Sequence, residues 1–475
     1  MVSIIFAIFG LLTIILLWQR QRPAFIAGFI VIFSLAYRIV DITYLDLVGP
    51  IYAIELERHV GGNGAAPIFV VATLCFIVPL WIIVSRQRIL AGIEDVIPPS
   101  AYLDGLQRAA FIGCSAYIAF LYLDMLRIGV IPLFAGIDRL EYQLVSGIVH
   151  NLAYEMNFLV SAVIGIFTVL PRLRGKRLSL PFIALLMAFL IYWALTGNRF
   201  SAFLITLSYF ALPFGALVAM QAKGILRRES VRGTWSSLLS SRIFMFFGFI
   251  TVVISVTALM FNSYYTVRNY ADPTFHLSQR VLVQPVQTWS STWEMVRYDF
   301  DRGINHTALD LVLLNPPNPD SNTTIQYLME RELGYFRAME LINAGQQYAG
   351  GYPEIFFELF GFWLAIPLMI LLGSAAAFLL YIALRSVAQG RALTAAMAVY
   401  LYYGFGVAYI GGMLNFLLAP TFALKLVALL IFFFVERRLV RAERAPSAFV
   451  PPFQGIASAG HLPAIHSRDD VGGRS

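Results

Sequence analysis

The chain has 475 residues, of which 59% are hydrophobic and 13% charged, with a formal net charge of +7 and a mean hydropathy of +0.74. Soluble domains carry about 25% charged residues, so this chain lacks the polar surface that water demands, and lipid is the alternative solvent. Its positive charge sits in short connectors beside apolar runs, a membrane pattern rather than a nucleic-acid one. Cys75 and Cys114 are its two cysteines and both fall inside apolar runs. A disulfide framework is therefore not expected, and neither is a metal site or a cofactor.

A helix needs about 20 apolar residues to cross a hydrocarbon core of ~30 Å. Taken in chain order, segments of that kind are predicted over 2–18, 24–48, 67–84, 109–131, 152–170, 179–195, 200–220, 243–262, 355–384, 393–410 and 414–435. The runs are continuous and do not alternate apolar with polar, which indicates helices rather than barrel strands. The first run has no basic residue before it and no small-x-small cleavage site after it, so it is expected to be a retained helix rather than a signal peptide. The predicted fold class is all-α: a polytopic helical membrane protein of about 11 transmembrane helices with one large extracytoplasmic loop.

The connectors carry the orientation signal. Arg20 and Arg22; Arg86, Arg88 and Arg108; Arg172, Arg174, Lys176 and Arg177; Lys223, Arg227, Arg228, Arg232 and Arg242; Arg385 and Arg391; and Arg437, Arg438, Arg441 and Arg444 all fall on one side. The opposite short connectors hold little more than Arg58, Arg139 and Arg199. The positive-inside rule then sets the amino terminus outside and the carboxyl terminus in the cytoplasm. The expected division is 1–262 for helices one to eight, 263–354 for an outer loop domain, 355–435 for helices nine to eleven, and 436–475 for a basic, disordered tail. Within the loop, Leu328, Leu333, Phe336 and Leu341 have helical spacing, and Asn315 to Asp320 is a turn-rich break.

Charges inside the membrane cost about 2.5–3.5 kcal/mol each on insertion scales. Arg38 with Asp41, and Asp124 with Arg127, are three apart, which places each pair on one helix face. Self-neutralisation within each pair is the plain structural reading, and an Arg38 facing an internal cavity is the functional one. Lys425 lies within the last apolar run without an obvious partner.

Three arginines are predicted at the outer boundary: Arg139 in Pro132-Leu-Phe-Ala-Gly-Ile-Asp-Arg139, Arg199 in Thr196-Gly-Asn-Arg199, and Arg280 in Gln279-Arg-Val-Leu-Val-Gln284. Each alone reads as an interfacial anchor; converging, their guanidinium forks would bind a pyrophosphate. A second cluster, Gly350-Gly-Tyr-Pro-Glu-Ile-Phe-Phe-Glu-Leu-Phe-Gly361, closes the loop. Glu354 and Glu358 are four apart and share a face. Glu354 could serve only as a helix-terminal charge; either could act as a general base on a sugar hydroxyl. His276 and His306 are weaker candidate bases. Asp299-Phe-Asp301 has the spacing of a nucleotide-sugar metal pair but falls on the outer side, where nucleotide sugars are absent. Asn305-His-Thr307 and Asn322-Thr-Thr324 fit the glycosylation sequon. No P-loop, HExxH or CxxCH motif occurs.

This layout resembles the bacterial O-antigen polymerases, the Wzy-type oligosaccharide repeat-unit polymerases. The resemblance covers most of the chain as topology, and as sequence only the patches ending at Arg139 and Arg199, Arg280 within the loop, and Gly350-Gly-Tyr-Pro-Glu with Gly361. It implies a multi-pass protein of the bacterial inner membrane that joins undecaprenyl-pyrophosphate-linked glycans, donor to acceptor, in the outer leaflet. It needs no nucleotide, and a flippase and a chain-length regulator are its expected partners. On that resemblance Glu354, Glu358 and Arg280 would be catalytic, and Arg139, Arg199, Arg280, Gln284 and Tyr352 would bind substrate. O-antigen ligases rely on a loop histidine near a late helix, and here that region reads Tyr352-Pro-Glu354, which favours a polymerase. A flippase of lipid-linked sugars and a scaffold of an export complex are the rival classes. The sequence lacks the repeated halves common in transporters.

Overall fold

In a computed structural model of the chain, the described residues are 1–135, 142, 145–197, 201–226, 272–314, 323–343, 348 and 350–444. They are overwhelmingly helical. Their strands form a two-stranded antiparallel hairpin, Ile51–Ala53 with Arg58–Val60.

Seven helical stretches are long and apolar enough to cross a membrane: Val2–Arg20, Ala66–Ile83, Ala101–Ala135, Ile148–Leu173, Ser201–Lys223, Glu354–Ala388 and Ala392–Gly411. Leu180–Leu195 is apolar but shorter. The run expected over 24–48 divides into Arg22–Ala27 and Phe29–Val48, and the second piece carries Arg38, Asp41 and Asp46. The last run begins as a short turn, Asn415–Leu418, and continues as a separate helix, Pro420–Arg444. The run expected over 243–262 lies outside the described residues.

Close approach of backbones holds the bundle together, as in membrane helices, where small residues replace the missing hydrophobic drive. A side chain at Gly373 would collide with the Cys75 carbonyl, and one at Gly165 with the Phe210 carbonyl. Outward-facing Ile112, Leu123, Trp363, Leu371 and Leu424 are exposed, an apolar surface suited to lipid.

The two ends of the bundle differ. At one end the basic connectors meet. Lys223 donates to the Ile93 carbonyl at 2.7 Å, Arg385 to the Arg88 and Ala91 carbonyls, and Arg174 pairs with Asp104 at 2.5 Å. Buried Glu436 accepts from the Leu393 and Thr394 amides and from the Tyr102 hydroxyl, which caps the Ala392–Gly411 helix.

At the other end the hairpin packs beneath a layer of short elements from the late segment. These are Pro273–Ser278, a π-helical turn Gln279–Val283, Gln287–Val296, His306–Leu309, a second π turn Asp310–Leu314, Thr323–Leu333 and Tyr335–Asn343. The helical spacing from Leu328 to Leu341 is divided at Gly334, whose φ of 77° ends the first half. The expected break from Asn315 to Asp320 lies outside the described residues. Trp289 and Thr288 of Gln287–Val296 are fully buried, and the Trp289 indole donates to the Ala65 carbonyl at 3.0 Å.

Candidate functional site

The three charges of the Phe29–Val48 helix have separate fates. Asp46 accepts from the Gly64, Ala65 and Ala66 amides at 2.9–3.1 Å, capping the next helix through its orphan donors. Arg38 turns away from Asp41 and reaches Glu354 at 2.5 Å, with 3% and 0% of the two side chains exposed. Its guanidinium also donates to the carbonyls of Pro285, at 2.7 Å, and of Tyr352. Thr288 completes the cluster by donating to Glu354 Oε1 at 3.0 Å. Arg38 and Asp41 therefore share no hydrogen bond, and both Asp41 oxygens are buried without a hydrogen-bond partner. The second pair behaves as its spacing predicts, with Arg127 on Asp124 at 2.7 Å. Lys425 sits over the Tyr400 ring at 4.3 Å, a cation–π contact.

Glu358 lies one helical turn beyond Glu354, and 3% of its side chain is exposed. It accepts from Arg302 at 3.2 Å, Arg331 at 3.0 Å, Asn305 at 3.3 Å and Tyr327 at 3.2 Å. Burial raises the Tyr327 phenol to about 12, with Glu358 adding to the rise. Burial disfavours the Arg331 charge, yet Glu332 and Glu358 outweigh it and hold the guanidinium above its usual range. Gly361 follows with φ 67° and breaks the helix, and a side chain there would collide with the Arg302 carbonyl. The motif from Gly350 to Gly361 is thus a knot in which both glutamates accept: Glu358 through both oxygens, and Glu354 through Oε1, while its buried Oε2 has no hydrogen-bond partner. Asn305 uses its amide for Glu358 and its oxygen to cap His306–Leu309, so the sequon asparagine is occupied on both sides.

Arg280 stands apart from this knot. It is exposed, on the π turn, and donates to Gln284 at 3.2 Å. A π turn widens the helix and re-aims its side chains, and such turns are common at functional sites. The first connector meets it here. Gln279 clamps the hairpin, donating to the Tyr52 carbonyl at 2.9 Å and accepting from the Ile54 amide. Fully buried Gln287 donates to Glu55 Oε2 at 2.6 Å, and the Tyr348 hydroxyl donates to the Glu55 carbonyl at 2.9 Å. Burial raises the Glu55 carboxyl above its usual range, against the opposing pull of Arg280 and of the Gln287 bond. The two charges feel one another without forming an ion pair.

The remaining predicted residues scatter. Arg139 and Arg199 lie outside the described residues. Tyr352 is fully buried and donates to the Ala72 carbonyl at 2.6 Å. Arg280 and Gln284 are brought together. Glu354 and Glu358 join the buried knot, Glu354 with Tyr352 through Arg38. Asp299, Asp301 and His306 are exposed, and His276 is half-buried on Pro273–Ser278. Among the described residues no group of three or more His, Cys, Asp or Glu side chains could hold a metal ion. Sequence reasoning passed over Glu55, Gln279 and Gln287. The available signal was the density of Glu55, Glu57, Arg58 and His59 in a short connector next to an apolar helix.

Residues 318–425 match a family of unknown function, DUF6418. The match covers under a quarter of the chain and includes Arg331, Tyr352, Glu354 and Glu358, one half of each buried network. No curated protein and no solved structure matches the chain.

Proposed function

We propose that the chain is a membrane glycosyltransferase of the bacterial inner membrane that polymerises undecaprenyl-pyrophosphate-linked oligosaccharide units on the outer face. The observation that carries this reading is Arg280: an exposed guanidinium on a π turn, held by Gln284 and set beside a half-buried carboxylate. A cation held this way can take the charge that develops on a leaving pyrophosphate. In the reaction a hydroxyl of the acceptor sugar bonds to the anomeric carbon of the donor. The bond from that carbon to the phosphate oxygen breaks, and undecaprenyl pyrophosphate departs with the electron pair. By the resemblance to the polymerases, Arg139 and Arg199, which lie outside the described residues, would bind the same pyrophosphate. Glu354 and Glu358 act here as positioning residues, because both are buried and held by Arg38 and by Arg302 and Arg331. Exposed Tyr52 and His59 on the hairpin, 5.4 Å apart, offer faces for sugar rings, and a flippase and a chain-length regulator are the partners.

Arg280→Ala, made in the organism that carries the chain and checked for normal membrane level, tests this reading. Surface glycan on a gel should lose its polymer ladder while a single repeat unit still reaches the surface. Lipid-linked repeats trapped inside would overturn it in favour of a flippase. Loss of every surface unit together with accumulation of finished polymer on its lipid would point instead to a ligase.

A further inference from the structure

We propose that Glu55, on the first outer hairpin, is the general base that takes the proton from the attacking acceptor hydroxyl. This rests on the transferase reading above. The candidates nearest the Gly350-Gly-Tyr-Pro motif are sealed: Glu354 is fully buried, with Oε1 tied to Arg38 and Thr288 and Oε2 enclosed without a hydrogen-bond partner, and Glu358 holds four donors. Glu332 is paired with Arg331 and accepts from Ser291. Glu57 is exposed and paired with Arg337.

Glu55 differs from all of these. One of its oxygens is pinned by a fully buried amide, Gln287, at 2.6 Å, and its backbone is pinned by Tyr348. The hairpin that carries it is stitched through Gln279 to the turn that carries Arg280. The carboxylate is therefore oriented and half-buried, and its guanidinium neighbour acts at a distance rather than as an ion pair. General base catalysis combined with leaving-group stabilisation calls for such a carboxylate and cation, near one another but unpaired. The acceptor O–H proton passes to Glu55 as the oxygen bonds to the anomeric carbon. The pyrophosphate leaves towards Arg280 with the electrons of the broken C–O bond, so the step needs no other reactant.

Burial of the carboxyl sets the sign of the pH dependence. The groups that act on Glu55 are Arg280 from the π turn and Gln287 from the following helix, while Glu55 shares the field of Tyr348 with Glu57, Arg58 and Glu332. The base must be ionised, so the rate should rise with pH through a limb above the ordinary carboxylate range of about 4.

The test uses the purified full chain in liposomes with lipid-linked repeat units as substrate, comparing wild type, Glu55→Gln, Glu55→Asp and Arg280→Ala. Glu55→Gln should lower kcat by about 10²- to 10⁴-fold, leave donor KM within a few-fold, and abolish the acid limb. Glu55→Asp should keep the limb at reduced rate, which separates lost chemistry from lost folding. Arg280→Ala should lower kcat with the limb retained. If wild type polymerises and Glu55→Gln matches its rate and pH profile, Glu55 is not the base and the transferase reading stands. If wild type moves lipid-linked units across the membrane without joining them, the transferase reading falls and Glu55 with it.

Discussion

The Arg38–Glu354 contact and the Arg280–Glu55 neighbourhood are built from the same two residue types, each bringing an early segment against the late one. In the first, both side chains are sealed and touch at 2.5 Å, with backbone carbonyls and Thr288 filling the other positions. In the second, the arginine is exposed, the glutamate is half-buried, and no ion pair joins them. Burial and pairing, not residue type, decide which pair holds the fold and which has chemistry to spare. A sealed pair is a poor base because a fully buried carboxylate is out of reach of a substrate hydroxyl, and it is a costly one to break.

The sharpest way to break the comparison is to truncate one partner of each pair. Arg38→Ala strands a buried carboxylate and two carbonyls, and should cost about 3–5 kcal/mol, read as a large fall in Tm in detergent and loss of the protein from membranes. A loss of activity with unchanged Tm would move Arg38 into the reaction. Glu358→Gln leaves Arg331 with Glu332 and leaves part-exposed Arg302 to water, so a smaller cost of about 1.5–3 kcal/mol is expected, with transfer activity retained in whatever fraction stays folded.

The smallest effect should have the opposite sign. Glu55 has a raised carboxyl pKa in the folded chain. Its ionisation therefore contributes against folding once pH exceeds the unfolded value of about 4.3. Glu55→Gln should raise Tm slightly at pH 7 and leave it unchanged or lower at acid pH, in a thermal series across pH. A fall in Tm at pH 7 would place Glu55 among the structural pairs.

The helices were legible in the sequence because long apolar runs have one cheap solution in lipid, and the Asp124–Arg127 pair was legible because its partners are one turn apart. The same local rule offered Asp41 as a partner for Arg38, but the ion pair that Arg38 makes is with Glu354. That partner lies 316 positions away, and no periodicity reports a contact made across that distance. Glu354 and Glu358 stand at the start of a late helix, as their spacing predicts, yet their engagement by Arg38, Arg302 and Arg331 depends on how the layer of short elements folds back. Glu55 was passed over for the converse reason. An acidic residue in a short connector looks like a solvated charge until Gln287, more than two hundred residues later, is seen to cover it.

The break at Gly361 assigns the residues before it to a different mechanical body from those after it. Glu354 to Phe360 form a short peg, locked by Arg38 on one side and by Arg302 and Arg331 on the other, while the helix beyond runs on along its neighbours in the bundle. The peg plants the layer of short elements in the bundle as a keystone does in an arch. A load applied to that layer would bear on a part already wedged among the helices, so the surface of the layer can vary while its footing holds still.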